Sequence, residues 1–324
     1  TNAKTGSDNT CVGKNTGNDL SSGTYNNAFG SGALSQLTTG THNCAFGYHS
    51  LLQIDTEGDN AAFGNYAGAR IQGARNSFLG YQAGYGADNG GSNDNSCVGF
   101  LAGLSIDGGG GNTLIGSRAG QVITSGANNV CIGYYAGNYT TATTTGAQNV
   151  LIGNYVHANA DGGQYQVVLG YNVSGSGNDT FTFGKQTTDT TCSMGGTTWS
   201  NPSDERIKTD ITTSAAGLSF INDLRPVNYK YKTKGTLPTN HKDYEKDSTE
   251  RLRNDRVNHG FIAQEVKTVL DNHSEYTNDD LWGENNEGYQ RVGPSALIPI
   301  LVKALQEADD KIDALTARVT TLEG

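Results

Sequence analysis

The sequence predicts an all-β repeat rod, a β-solenoid or β-roll in which three chains wind or pack together, followed by an α+β domain that ends in a trimeric coiled coil. Three observations carry this. An Asn followed four residues later by Gly recurs nine times from Asn9 to Gly153. Residues 1–202 hold 38 of the 45 glycines and 17 charged side chains, whereas residues 203–324 hold 7 glycines and 37 charged side chains. From Leu301 onward apolar residues alternate at spacings of four and three, the period of a coiled-coil seam.

The rod comes first. The pairs Asn9/Gly13, Asn26/Gly30, Asn43/Gly47, Asn60/Gly64, Asn76/Gly80, Asn95/Gly99, Asn112/Gly116, Asn129/Gly133 and Asn149/Gly153 define a tandem repeat over residues 1–157, with a common step of 17 residues and insertions around 88–94 and 140–146. Seventeen residues are too few for a helical hairpin, and β-branched and aromatic residues between Gly and Asn corners favour strands. The residue before each Gly is apolar, and a small residue usually stands three after it, as in Ala67, Ala102 and Ala119. That pattern predicts a short strand and a tight corner per coil. Gly serves where φ is positive or backbones approach closely, and Asn can cap the corner or form a ladder with the Asn of the next coil. Such a coil buries one or two side chains, and so thin a core calls for association of chains. Degenerate copies ending in Gly170 and Gly184 make residues 158–202 the β-rich end of the rod. The Asn-x-x-x-Gly pattern with its apolar residue before Gly resembles the head repeats of trimeric autotransporter adhesins across residues 9–157.

Several function classes are disfavoured. Each part carries a net charge of about −5, from 6 basic and 11 acidic residues before residue 203 and 16 and 21 after it, so a basic nucleic-acid surface is not expected. No run of about 18 apolar residues and no basic-then-apolar leader is present, so neither a membrane span nor a signal peptide is expected. Cys11, Cys97 and Cys131 fall two residues before a repeat Gly and Cys44 three before it. They are expected to be small core residues in a reducing assembly environment. No Cys-x-x-Cys occurs and the six histidines are scattered, so no metal site or other cofactor is expected. An aromatic directly after the repeat Gly (Tyr48, Tyr81, Phe100, Tyr134, Tyr171) would stack into a stripe. Such a stripe is either a stabilising ladder or a platform for a host-surface glycan or protein.

The α+β domain is expected over residues 203–296. Alternating patterns over 207–211 and 227–231 suit strands, and 215–224 suits a short helix ended by Arg225-Pro226. Residues 232–258 are polar and suit an exposed hairpin or loop. Residues 258–266 suit a strand or turn leading into a helix with an acidic residue in its first turn. Leu301, Leu305, Ala308, Ile312, Leu315, Val319 and Leu322 then form the seam of a coiled-coil helix over 297–324.

Four ordered blocks carry a second resemblance: Ser-Asp-Glu-Arg-Ile-Lys-Thr-Asp-Ile at 203–211, Leu-Arg-Pro-Val-Asn-Tyr-Lys-Tyr at 224–231, His-Gly-Phe-Ile-Ala-Gln-Glu-Val at 259–266 and Ala-Leu-Ile-Pro-Ile-Leu-Val-Lys-Ala-Leu-Gln-Glu at 296–307. Together they resemble the intramolecular chaperone auto-processing domain that closes phage endosialidases, tail fibres and neck appendages. The resemblance implies a trimeric C-terminal chaperone that guides the preceding rod to fold and then releases itself. It also implies Ser203 as nucleophile, Lys208 as general base and a cut between Pro202 and Ser203.

The residues support that chemistry independently. A Ser and a Lys at a domain joint are the minimum equipment for cutting a peptide bond without His or metal. A Lys acts as base only when desolvation holds it neutral, so folding is expected to switch the reaction on. Five residues apart, the two side chains diverge on a helix or a straight strand, so a turn or bulge has to bring them together. Without the downstream blocks Ser203 would be a cap or turn residue and Lys208 a solvated strand charge. Asp204, Glu205 and Arg206 are expected in local salt bridges or interchain contacts, and His259, Gln264 and Glu265 either support the fold or assist the dyad.

The expected function is therefore a phage-type tail fibre or spike precursor, a homotrimer assembled in the host cytoplasm and placed on the virion, whose enzyme activity is one intramolecular cleavage. The alternative is a bacterial trimeric adhesin head with a coiled-coil stalk and no self-cleavage.

Overall fold

In a computed structural model of the chain, residues 5–87, 91–138, 144–273, 276, 280–285 and 287–323 are described. Parts of both predicted insertions, residues 88–90 and 139–143, lie outside them. The chain divides into two compact units, Thr1–Ile207 and Lys208–Gly324.

In the first unit every repeat contributes one short strand to one sheet. The strands are β1 (Thr10–Val12), β2 (Asn27–Phe29), β3 (Cys44–Phe46), β4 (Ala61–Phe63), β5 (Ser77–Leu79), β6 (Ser96–Val98), β7 (Thr113–Ile115), β8 (Val130–Ile132), β9 (Val150–Asn154), β10 (Val167–Tyr171), β11 (Thr180–Lys185) and β12 (Thr188–Ser193). β1 to β11 pair in parallel with their sequence neighbours, one coil per step, as in Ala28↔Ala45 and Leu114↔Cys131. The result is a β-solenoid of about ten turns. β12 alone turns back and pairs antiparallel with β11, ending the stack.

The register explains the repeat. The middle residue of each strand points inward, the small residue three after Gly joins it, and an Ile or Leu from the corner fills the third place, as in Leu114, Ala119 and Ile123. Three apolar side chains are thus buried per coil, more than the one or two expected, because the corner also turns its apolar residue in. The residue directly before Gly faces outward instead, since strand side chains alternate; Leu79 is 53% exposed. The repeat glycines stack in a column that only Gly can form. Gly116 has φ +128 and an added Cβ would lie 2.6 Å from the Gly133 carbonyl oxygen. Gly84 has a different task, since its missing Cβ leaves room for Phe78, whose Cε1 would be 2.1 Å away.

The repeat asparagines form the predicted ladder in its fullest form. Asn112 Nδ2 donates to Asn95 Oδ1 at 3.0 Å and to the Gly126 carbonyl at 2.9 Å, while Asn112 Oδ1 accepts from the Asn129 backbone N–H at 3.0 Å. The same triad recurs from Asn26 to Asn149, and all of these side chains are buried.

The cysteine expectation needs correction at two sites. Cys97 and Cys131 are buried core residues, and burial pushes the Cys131 thiol up to about 12. Cys44 is half-buried, because it starts its strand and so shares the outward side with Phe46. Cys11 is exposed although it holds the inward register, because among the described residues β1 has a neighbouring strand on one side only. The aromatic stripe also differs in composition. Tyr81 stacks on Phe100 at 5.7 Å, but where Asn65 or Asn154 follows the Gly, the next residue, Tyr66 or Tyr155, supplies the ring.

The second unit is built on α1 (Leu218–Asp223), α2 (Ala263–Asn272) and α3 (Leu297–Glu323), with two small antiparallel sheets, β13 (Val227–Tyr229) with β14 (Asn258–Gly260) and β15 (Trp282–Glu284) with β16 (Gln290–Val292). Phe220, Val266, Leu281, Leu297 and Ile300 meet in its core. The strand expected over 207–211 is absent. Residues 205–207 form a single 3-10 turn and 208–215 are irregular and exposed, having no neighbouring strand to pair with.

Candidate functional site

The chain around the expected cut is fixed on both sides by the first unit. Upstream, Ser200 bridges Thr191 of β12 through two backbone hydrogen bonds of 2.8 and 2.9 Å, and the Thr190 hydroxyl donates to Asn201 Oδ1 at 2.5 Å. Downstream, Asp204 accepts the Arg206 backbone N–H at 2.8 Å and binds its guanidinium through both carboxylate oxygens, at 2.9 and 2.6 Å. The Ile207 N–H closes the turn on the Asp204 carbonyl at 3.2 Å. Arg206 holds the Asp204 carboxyl below the usual carboxylate range. Pro202 and Ser203 are the two residues between these anchors. Pro202 borders a cleft of about 510 Å³ that it lines with Gln186, Thr187, Asp189, Asp204 and Arg206.

Ser203 belongs to the first unit and Lys208 to the second, with the 3-10 turn Glu205–Ile207 between them in the sequence. Both side chains are exposed. Lys208 stands at the start of an irregular segment, 208–215, whose residues are exposed in the single chain.

The three supporting candidates separate. Glu265, in the first turn of α2, accepts from Arg225 through both carboxylate oxygens, so it ties the segment before β13 to the helix after β14. It supports the fold. His259 and Gln264 line a groove of about 590 Å³ with Tyr229, Tyr231, Arg253 and Arg291. The Arg253 guanidinium lies 5.2 Å over the Tyr231 ring. The two arginines come from polar segments with no periodic signal, so sequence patterning passed over them.

α3 has two apolar faces. Leu297, Ile300 and Ala304 are buried in the unit's core. Glu307, one turn further on, accepts the Leu218 backbone N–H at 2.8 Å and so caps α1, which has no capping side chain of its own. The other face is the heptad seam. From Leu301 to Leu322 its large residues are exposed, Ile312 at 60%. Ile298, 61% exposed and three residues before Leu301, adds a rung that the sequence analysis missed.

Among the described residues no group of three His, Cys, Asp or Glu could hold a metal ion, and no helix is long and apolar enough to cross a membrane. Comparison with known proteins bears on the second unit. Residues 203–275, less than a quarter of the chain, match the model of the peptidase family described as chaperone of endosialidase. No curated protein and no solved structure matches the chain. The C-terminal region thus contains an intramolecular chaperone domain, and the match carries self-cleaving peptidase activity at the level of the family. A β-solenoid followed by such a domain fits a tail-fibre-like protein with a C-terminal chaperone.

Proposed function

We propose that this chain is a phage-type fibre or spike precursor, a homotrimer whose C-terminal domain drives assembly of the solenoid and then removes itself between Pro202 and Ser203. The single observation that carries the reading is that the family match begins at Ser203, at the residue where the anchoring contacts of β12 have just ended. Ser203 Oγ attacks the Pro202 carbonyl carbon as Lys208, neutral, takes the hydroxyl proton. The C–N bond breaks, the proton passes to the departing Ser203 amine, and the acyl group remains on Oγ as an ester. Water hydrolyses that ester, leaving a carboxylate on Pro202 and the hydroxyl on Ser203. Lys208 is exposed in the single chain, so the reading takes association of chains as the step that desolvates it, and cutting would follow assembly. The finished rod would then serve on the virion as a host-binding fibre, toward a surface glycan or protein.

A denaturing gel of the purified chain tests this. Wild type gives fragments of 202 and 122 residues, the latter being 324 minus 202. Ser203→Ala and Lys208→Arg, the second keeping the charge but unable to act as base, give one full-length band. Cleavage that persists in both variants, or an uncut wild-type trimer, overturns the proposal.

A further inference from the structure

The outward face of the solenoid sheet has no function in the account so far. Across β1 to β10 the strands carry no charged residue. Along this face runs an unbroken apolar ladder, the ten residues that precede the column glycines from Val12 to Leu169. Its rungs touch. Phe29 stacks on Phe46 at 4.6 Å and Phe46 on Phe63 at 5.0 Å, with rings within 10° of parallel. A monomer leaving this face in water would expose far more contiguous apolar surface than soluble chains usually do.

We propose that this sheet face is where copies of the chain meet: the rods lie side by side in the same direction and in register, ladder against ladder, around a common axis. This rests on the homotrimer proposed above. The occupant follows from three features. The rungs repeat at strand spacing, about 4.8 Å, and a second copy of the same solenoid matches that spacing over all ten. The face carries no charge for an acidic or basic partner, and its polar side chains, Thr10, Asn27, Ser77, Ser96 and Thr113 at the strand starts, lie along one margin of the apolar ladder. Its size is of the right order. Ten strands give about 45 Å of length and three residues about 10 Å of width, on the order of 450 Å² per chain from the strands alone, over half of the about 800 Å² that one partner gives to a standard interface. The apolar seam of α3 supplies a second, independent surface asking for copies of the same chain.

Cys44, half-buried beside Phe46 on this face, is a native probe, and the test uses the full chain. Light scattering first gives the assembly mass. In assembled wild type, alkylation of Cys44 by N-ethylmaleimide, located by mass spectrometry, is expected at least tenfold slower than in denatured chain or in a chain made monomeric at the α3 seam. In a Cys11→Ser, Cys44→Ser background, Ile115→Cys is expected to give covalent dimers with a short bifunctional maleimide. Thr56→Cys, exposed on a corner outside the strands, is not. A trimer in which Cys44 reacts as fast as in denatured chain and Ile115→Cys does not cross-link overturns this interface and leaves the trimer standing. A monomeric wild-type chain overturns both.

Discussion

Asn112 shows how much one side chain carries in this rod. Replacing it with Ala removes the donor to the Gly126 carbonyl and the acceptor of the Asn129 backbone N–H, both in the buried ladder. A buried polar group left unpaired costs about 1–3 kcal/mol, so Asn112→Ala is expected to lose about 2–4 kcal/mol, measured as a lowered denaturation midpoint of the rod. An exposed substitution such as Thr56→Ala should leave that midpoint unchanged. Glu307 makes a different residue-scale prediction. Its carboxyl is held below the usual range, first by the Leu218 N–H and then by Lys303. A carboxylate with a depressed folded-state pKa stabilises above its unfolded pKa, and that contribution fades as pH falls through the folded value. The stability difference between wild type and Glu307→Gln, followed by circular dichroism in denaturant, should therefore be largest near pH 7 and shrink below about pH 4. An equal difference at both pH values would show that the cap is not ionic.

At the scale of elements, α3 divides its labour between faces. The face of Leu297, Ile300 and Ala304 is buried in the second unit, while the large apolar residues of the seam from Ile298 to Leu322 are exposed. A charge at Leu315, a position facing the seam and not the core, is expected to separate the two tasks. Leu315→Asp should keep the fold of the second unit, yet lower the mass seen by light scattering and slow cleavage. Unchanged cleavage in a monomeric variant would break the proposed link between association and cutting. The heptad was legible because 4-3 spacing survives whatever surrounds it. Likewise the 17-residue step announced the coils, and the Asn-to-Gly offset announced the ladder. The strand expected over 207–211 was not there, because alternation over five residues predicts a strand only where a neighbour exists to pair with it. Glu307 and Arg225 were illegible for a related reason: their partners lie 89 and 40 residues away, and no local pattern encodes such distances. For the site itself, Ser203 and Lys208 were visible as residue types at a joint. The anchors on either side of the expected cut, the bridge from Ser200 to β12 and the Asp204 turn, emerged only with the fold.

At the scale of the molecule, the order of events follows from topology. Parallel pairing of successive coils is slow to register because contacts form between segments a full repeat apart, whereas a coiled coil assembles locally and raises the effective concentration of whatever it joins. A cut made after assembly leaves a rod without its folding aid, so unfolding becomes effectively one-way. The expected measurement is refolding yield. Uncut Lys208→Arg chain should recover its assembled mass after dilution from denaturant, while cleaved wild type should recover several-fold less. Equal recovery would deny the second unit any part in folding.

The reversed strand β12 has one more consequence. A stack of parallel coils ends in an unsatisfied edge that could recruit further strands and grow into fibrils. β12 covers the β11 edge in the antiparallel sense and is itself met on its outer side by the bridge from Thr191 to Ser200, and both lie on the rod side of Pro202. If the tail is removed as proposed, this reversed end stays with the rod, and any strand added there would have to pair with β12 instead of continuing the parallel coils.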